Sequence, residues 1–182
     1  MTTDPTLAAD IDAACRISGQ FTLRSGQVSD VYFDKYLFEC RPELLKRVAV
    51  QMAGLLPADT ELLGGLELGG VPIATMISQL TGLPALFVRK KAKEYGTAKL
   101  AEGPEIAGRR VTLIEDVITS GGAVRDAVNA LRPAGAEITT AVCAIDRSPG
   151  AGTAAWENPL ADVRLEMRPV LTRAELDAVH PG

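Results

Sequence analysis

Histidine is nearly absent from this sequence of 182 residues, since its only example, His180, stands next to the C-terminus. A catalytic triad or a histidine-based metal site needs an internal imidazole, so both are excluded. The three cysteines, Cys15, Cys40 and Cys143, are widely separated and show no CxxC spacing. A disulfide framework and a zinc knuckle are therefore not expected, and the thiols are predicted to be reduced.

An excess of positive charge and long apolar runs are also missing. The chain has 19 Lys and Arg against 23 Asp and Glu, and a pI near 5.1, which is unlike the basic field of a nucleic-acid-binding protein. No run of 18 apolar residues occurs, and residues 1–12 lack the basic and apolar regions of a signal peptide. We therefore expect one domain over residues 1–182, in the cytoplasm, with neither a nucleic-acid nor a membrane partner.

The first third of the chain contains two segments with helical apolar spacing. Residues 4–17 and 42–56 both place their apolar side chains on one helix face, and the second opens with a proline near its first turn. Between them, residues 21–23 and 31–33 are short extended runs separated by a polar segment. This pattern predicts a small antiparallel strand pair.

From residue 61 onward, strand and helix patterns alternate. The apolar runs of strand length are residues 62–66, 85–88, 111–114 and 138–145, and the helical stretches are residues 71–80 and 123–131. This alternation predicts an α/β fold with a central, mostly parallel sheet flanked by helices. Ligands of such sheets bind beyond the carboxyl ends of the strands, so the segments that follow the strands are the candidates for chemistry.

The most specific of these segments follows the third apolar run. Two acids, Glu115 and Asp116, precede a Thr-Ser-Gly-Gly turn at residues 119–122 that opens a helix. Backbone N–H groups of such a turn can surround a phosphate, and glycine allows close approach. Two acids beside a phosphate are reasonable only if they bind another part of the ligand, such as ribose hydroxyls. The alternative is that Asp116 and Thr119 merely cap the helix.

A cationic segment follows the second apolar run. Residues 89–93 contain four Lys or Arg side chains, and the chain continues to Gly103 without apolar periodicity. Basic residues on a loop suit an anion that is enclosed during a reaction and then released, as pyrophosphate would be. The alternative is an ordinary solvated charge run.

Residues 111–123 resemble the phosphoribosyl pyrophosphate (PRPP) signature of type I phosphoribosyltransferases. The cationic segment 87–97, the segments 21–26 and 31–34 and the loop 64–74 are similar to those of orotate phosphoribosyltransferases, so the resemblance spans about residues 19–150. It implies the type I fold with a small N-terminal hood within about residues 1–40. It also implies transfer of the phosphoribosyl group from PRPP to orotate, giving orotidine 5′-monophosphate and pyrophosphate in the de novo synthesis of UMP.

The resemblance further implies roles for individual residues. Lys93, Asp116 and Glu115 would be catalytic, and the two acids would hold the ribose hydroxyls. The PRPP-binding residues would be Glu115, Asp116, Val117, Ile118, Thr119, Ser120, Gly121, Gly122 and Ala123. Pyrophosphate would contact Gly69, Gly70, Arg89, Lys90, Lys93 and Tyr95. Orotate would contact Arg24, Tyr32, Phe33, Thr119 and Arg147.

Some members of the family carry lysine where this chain has Gly69, so Gly69 and Gly70 are expected to act through backbone N–H groups. Mg²⁺ is expected as a cofactor held by pyrophosphate, sugar hydroxyls and water, with no direct protein ligand. A homodimer with shared active sites is implied as well.

Three alternatives remain open from the sequence. Asp146 and Arg147 could form a local surface salt bridge instead of an orotate site. A type I transferase could act on a purine or another base. A regulatory protein could sense PRPP with this domain and bind nucleic acid.

Overall fold

The computed structural model describes residues 4–22, 26–90 and 100–180. Its helices are α1 (Leu7–Cys15), α2 (Tyr36–Glu39), α3 (Pro42–Ala53), α4 (Gly70–Thr81), α5 (Gly122–Leu131) and α6 (Arg173–Val179). Its strands are β1 (Arg16–Thr22), β2 (Val28–Phe33), β3 (Leu62–Leu66), β4 (Ala85–Val88), β5 (Ala101–Glu102), β6 (Val111–Ile118), β7 (Thr140–Asp146) and β8 (Glu166–Thr172).

The central sheet has six strands in the order β5-β4-β3-β6-β7-β8. Every neighbouring pair is parallel except β4 and β5, which are antiparallel. β3 lies in the middle, with Leu63 opposite Ala85 on β4 and Thr112 on β6. The predicted α/β fold with a mostly parallel sheet is therefore confirmed, and β3 and β4 have the predicted bounds.

Hydrophobic clusters cover both faces of this sheet, which explains why its central strands are largely apolar. Leu63 and Ile114 point to the face covered by α1, α3 and α4. Leu62 and Leu113, their immediate neighbours in sequence, point to the face covered by α5. Successive residues of a strand alternate between faces, so β3, β6, β7 and β8 each supply both clusters.

The N-terminal hood is the antiparallel pair of β1 and β2, together with α1 and α2. The predicted strand pair is confirmed, but the prediction of a helix over residues 4–17 was wrong at its end. The helix stops at Cys15, because Arg16 and Ile17 pair with Phe33 and Tyr32 in the hairpin. Pairing with a strand distant in sequence overrides local helical spacing here.

Four elements were not predicted: α2, β5, β8 and α6. β8 extends the sheet beside β7, and Thr172 and Glu175 form a capping box at the start of α6. His180 follows α6, and its Nδ1 lies 2.9 Å from Asp12 Oδ2 on α1. Across the described ranges, no helix is both long and apolar enough to span a bilayer.

Candidate active site

A cleft of about 780 Å³ opens at the carboxyl ends of β3, β4 and β6. This is the edge at which ligands bind in open parallel sheets. Its lining includes the charged residues Lys35, Glu67, Arg89, Lys90, Glu115 and Asp126, together with the segment 117–123. The cleft therefore brings together residues from the hood, from three strand ends and from the start of α5.

The loop before α5 forms one wall of the cleft. Thr119, Ser120, Gly122 and Ala123 are exposed, while Gly121 is buried and has a left-handed φ of 76°. No side chain caps α5, so the alternative that Asp116 or Thr119 serves as a helix cap is wrong. The backbone N–H groups of the first helical turn, which have no partner within the helix, can bind an anion.

Arg125, in the first turn of α5, holds this loop through hydrogen bonds to its backbone. Its guanidinium donates hydrogen bonds to the backbone oxygens of Ser120 and Pro159, and its Nε lies 2.7 Å from Asp162 Oδ2. In a trans peptide, C=O and N–H point in opposite directions, so holding the Ser120 oxygen also fixes the direction of the following N–H. Sequence analysis missed Arg125, because its partners Pro159 and Asp162 lie far along the chain.

The two acids lie within β6 rather than at its end, and they differ in accessibility. Glu115 lines the cleft with 6% of its surface exposed, whereas Asp116 is 0% exposed. Lys35, from the start of α2, places Nζ 2.5 Å from Asp116 Oδ2 and itself lines the cleft. Burial alone would raise the pKa of Asp116, but hydrogen bonds with Glu115, Lys35 and Glu39 lower it. Asp116 is therefore the ionised member of this cluster.

The loop between β3 and α4 lies against the same carboxylate. A Cβ added to Gly69 would stand 1.8 Å from Asp116 Oδ2, and one added to Gly70 would stand 2.3 Å from the Ile114 oxygen. This close approach excludes a lysine at position 69, because its Cβ has no room. The cation beside Asp116 comes instead from the hood, as Lys35, which sequence analysis also missed. Both glycines are buried and neither lines the cleft.

The cationic segment begins at the end of β4, which is separated from β6 by β3. Arg89 and Lys90 are exposed and line the cleft. Their backbones are fixed, since Arg89 N–H donates to the Leu100 oxygen at 2.8 Å and Lys90 N–H donates to Glu67 Oε2 at 2.9 Å. The predicted residues Lys93 and Tyr95 lie outside the described residues, as does Arg24.

Two residues predicted to contact orotate are brought together beside the cleft. Arg147 Cζ lies 5.1 Å from the centre of the Phe33 ring, and Arg147 N–H donates to the Ile118 oxygen at 2.8 Å. Asp146 instead accepts the Ser148 N–H at 2.8 Å. The alternative Asp146–Arg147 salt bridge is wrong, since no carboxylate of the described residues pairs with the Arg147 guanidinium. Tyr32, 45% exposed, packs against Phe21.

Metal-binding geometry is not found at these acids. Within the described parts of the chain, no group of three His, Cys, Asp or Glu side chains is arranged to hold a metal ion. Glu39, Glu115 and Asp116 lie close together, but they share the Lys35 ammonium. The described residues therefore do not fit a Mg²⁺ ion held by the protein alone.

The chain is a phosphoribosyltransferase, since the family model described as phosphoribosyl transferase domain matches residues 47–165. Among relatives, the orotate phosphoribosyltransferase of Nocardioides sp. (strain ATCC BAA-499 / JS614) is 75% identical over 180 residues, 99% of this chain and 98% of that protein. The chain belongs to the orotate phosphoribosyltransferase family.

Solved structures agree with this assignment. The orotate phosphoribosyltransferase of Mycobacterium tuberculosis H37Rv in complex with Fe(III) dicitrate has a TM-score of 0.79 and 34% identity, covering 93% of this chain and 96% of its own. The same enzyme in complex with PRPP has a TM-score of 0.75 and 30% identity, covering 94% of this chain and 96% of its own.

The packing of Gly69 against Asp116 predicts that alanine lowers stability at position 69 but not at position 122. Gly69→Ala should lower the free energy of unfolding by about 1–3 kcal/mol, because the added methyl overlaps a buried carboxylate. Gly122→Ala is the matched control, since its Cβ would meet no atom closer than 3.9 Å and alanine favours a helix. Urea unfolding followed by circular dichroism measures both. Equal stability of the two variants would contradict the packing described for Gly69.

Proposed function

We propose that this chain transfers the phosphoribosyl group from PRPP to orotate at the cleft beyond β3, β4 and β6, forming orotidine 5′-monophosphate and pyrophosphate. The observation that carries this proposal is the order of groups along the cleft. Arg89 and Lys90 follow β4, the two acids lie on β6, and the backbone donors at residues 119–123 follow β6, while β3 lies between β4 and β6 in the sheet. PRPP has a diphosphate, a pair of ribose hydroxyls and a phosphate in the same order.

Each part of PRPP has a matching set of groups in this proposal. The 5′-phosphate binds the N–H groups at the start of α5, which the helix dipole also favours. Glu115, which lines the cleft, accepts a hydrogen bond directly from one ribose hydroxyl. Asp116 accepts a hydrogen bond from the second hydroxyl after Lys35 moves away from it towards the anionic substrate. Arg89, Lys90 and Lys93 neutralise the diphosphate, with Tyr95 as a further contact.

The chemical step needs charge placement rather than a protein nucleophile. The bond between the anomeric carbon and diphosphate breaks ahead of attack by the orotate nitrogen, so positive charge develops on the sugar ring. Asp116, the ionised acid of β6, stabilises that charge, and the cations that follow β4 stabilise the departing diphosphate. Lys93 acts on the leaving group. Mg²⁺, when bound, would offset the negative charge of the departing diphosphate, and we expect no side chain of this chain to be its ligand.

Orotate is proposed to bind beside the sugar, at Arg147 and Phe33. A half-buried guanidinium without a carboxylate partner in the described residues suits the carboxylate of a ligand. Burial, followed by the nearby Arg173, lowers the pKa of Arg147 from its usual value. An incoming carboxylate would relieve both effects. The flat pyrimidine can also contact Tyr32, Thr119 and Arg24.

The setting of the enzyme is part of the same proposal. Residues 1–182 form one domain with its hood within about residues 1–40, and two copies form a homodimer with shared sites. Exposed apolar side chains on the hood, such as Val28 and Tyr36, support such an interface. The three cysteines are free thiols, which supports a cytoplasmic location. The net charge of −4 supports the absence of a nucleic-acid partner.

A direct assay tests the reaction. Purified protein with PRPP and Mg²⁺ should consume orotate and release an equal amount of pyrophosphate. The loss of orotate's ultraviolet absorbance measures the consumption. Adenine, hypoxanthine, xanthine and uracil serve as competing acceptors, and none should be converted at more than about a hundredth of the orotate rate. Conversion of a purine in preference to orotate, or no conversion at all, would contradict the proposal.

Replacing Arg147 separates the orotate contacts from the PRPP contacts. Arg147→Ala should raise the KM for orotate by at least about tenfold, because a charge-assisted hydrogen bond is lost, and should change the KM for PRPP by less than about threefold. Arg110→Ala is the control. Arg110 is half-exposed and comes just before β6, at the amino end of that strand and away from the cleft. Steady-state kinetics in both substrates measures the split. An unchanged KM for orotate would remove Arg147 from the site.

A further inference from the structure

Helix α2 presents two charged side chains to the buried carboxylate of Asp116. Lys35 and Glu39 are four residues apart in helical backbone, so their side chains share one face. Lys35 Nζ lies 2.5 Å from Asp116 Oδ2. Glu39 Oε1 and Asp116 Oδ2 lie 2.5 Å and 1.8 Å from the point where a Cβ on Gly69 would stand, so the two oxygens are close neighbours.

Glu39 is buried without a conventional partner. Only 9% of its surface is exposed, and Oε1 has no hydrogen-bond donor in the described residues. A buried carboxylate oxygen beside a second carboxylate is costly in both desolvation and repulsion. A proton on Glu39 removes both costs, because the acid then donates a hydrogen bond to the ionised Asp116.

We propose that Glu39 is a positioning residue for PRPP binding, whose protonated carboxyl holds the Asp116 carboxylate in place without adding negative charge to the sugar site. This inference rests on the proposed function, because it assigns Asp116 to the ribose. The proton stays on Glu39 throughout, and no bond to the substrate is formed by it. Lys35 supplies the counter-charge to Asp116 while the cleft holds no substrate.

The titration of Glu39 gives the proposal its measurable consequence. Burial, and then the neighbouring Asp116, raise the pKa of Glu39 to about 8. The other titratable groups that face it are Lys35, Asp34, Glu115, Asp116 and the thiol of Cys15. Burial also raises the pKa of Glu115, and it raises the pKa of the Cys15 thiol to about 12, so the thiol adds no charge near neutral pH. Above pH 8, Glu39 becomes an anion beside Asp116, which repels PRPP and disturbs the carboxylate that it held.

The test compares two replacements of Glu39 over pH 6.5–9.5. Glu39→Gln keeps a donor of the same shape that cannot ionise, and Glu39→Leu removes the donor at similar volume. The readouts are kcat and the KM values for PRPP and orotate, with Mg²⁺ saturating. Glu43→Gln is the control, since Glu43 is exposed on α3. PRPP itself titrates equally in all four proteins, so differences between them belong to the protein.

In the wild-type protein, the KM for PRPP should rise at least about fivefold from pH 7 to pH 9, while the KM for orotate changes less than about twofold, because one ionisation adds one charge next to the sugar. Glu39→Gln should keep a low KM for PRPP across the range. Glu39→Leu should raise it about tenfold already at pH 7, because Asp116 loses a buried hydrogen bond. Glu43→Gln should behave as the wild type.

Two results would overturn the role of Glu39: a wild-type rise in KM that persists unchanged in Glu39→Gln, or wild-type PRPP binding by Glu39→Leu at pH 7. A merely structural role would lower the amount of folded protein and hence the apparent kcat, without removing the pH dependence of the KM. Failure of the wild-type protein to convert orotate would overturn the proposed function instead, so the two failures are distinguishable.

Discussion

An ionised carboxylate buried in a protein interior must be neutralised and hydrogen-bonded, and Asp116 imposes that requirement on the elements around it. Asp116 is 0% exposed, and Lys35 reaches it from the hood. Gly69 lacks a side chain at the point where the loop before α4 meets the carboxylate. The hood, the loop before α4 and the central sheet therefore meet at one charge. A change in any of these three elements therefore alters the surroundings of the Asp116 carboxylate at the proposed sugar site.

Acidic and basic side chains line the cleft at the ends of neighbouring strands, which suits a ligand with anionic ends and a neutral centre. Glu115 lies on β6, Arg89 and Lys90 follow β4, and β3 lies between these two strands. The loop 119–123 adds backbone dipoles, so it can bind an anion without adding full charge beside the acids. Arg125 stands behind that loop, where its guanidinium fixes the backbone. The chain as a whole is acidic, so these local fields do not follow from its composition.

The sequence predicted the parts of this structure that depend on local patterns. Apolar runs gave the bounds of β3 and β4, and the acids with the following Thr-Ser-Gly-Gly turn indicated the cleft wall. The end of α1 and the existence of β8 depend on pairing with distant strands, which local spacing does not encode. Lys35 and Glu39 were missed for the same reason, since their partner Asp116 is about eighty residues away. The prediction that Phe33 and Arg147 lie at one orotate site came from family resemblance and not from periodicity.

The central claim is that the β6 acids bind the ribose of PRPP while the start of α5 binds its 5′-phosphate. A crystal structure of this protein with PRPP and Mg²⁺ bound tests it most directly. We expect carboxylate oxygens of Glu115 and Asp116 within hydrogen-bond distance, about 2.6–3.2 Å, of the 2′ and 3′ hydroxyls, and the 5′-phosphate on backbone N–H groups of residues 119–123. A sugar bound away from Asp116, with its phosphate on other groups, would contradict the claim.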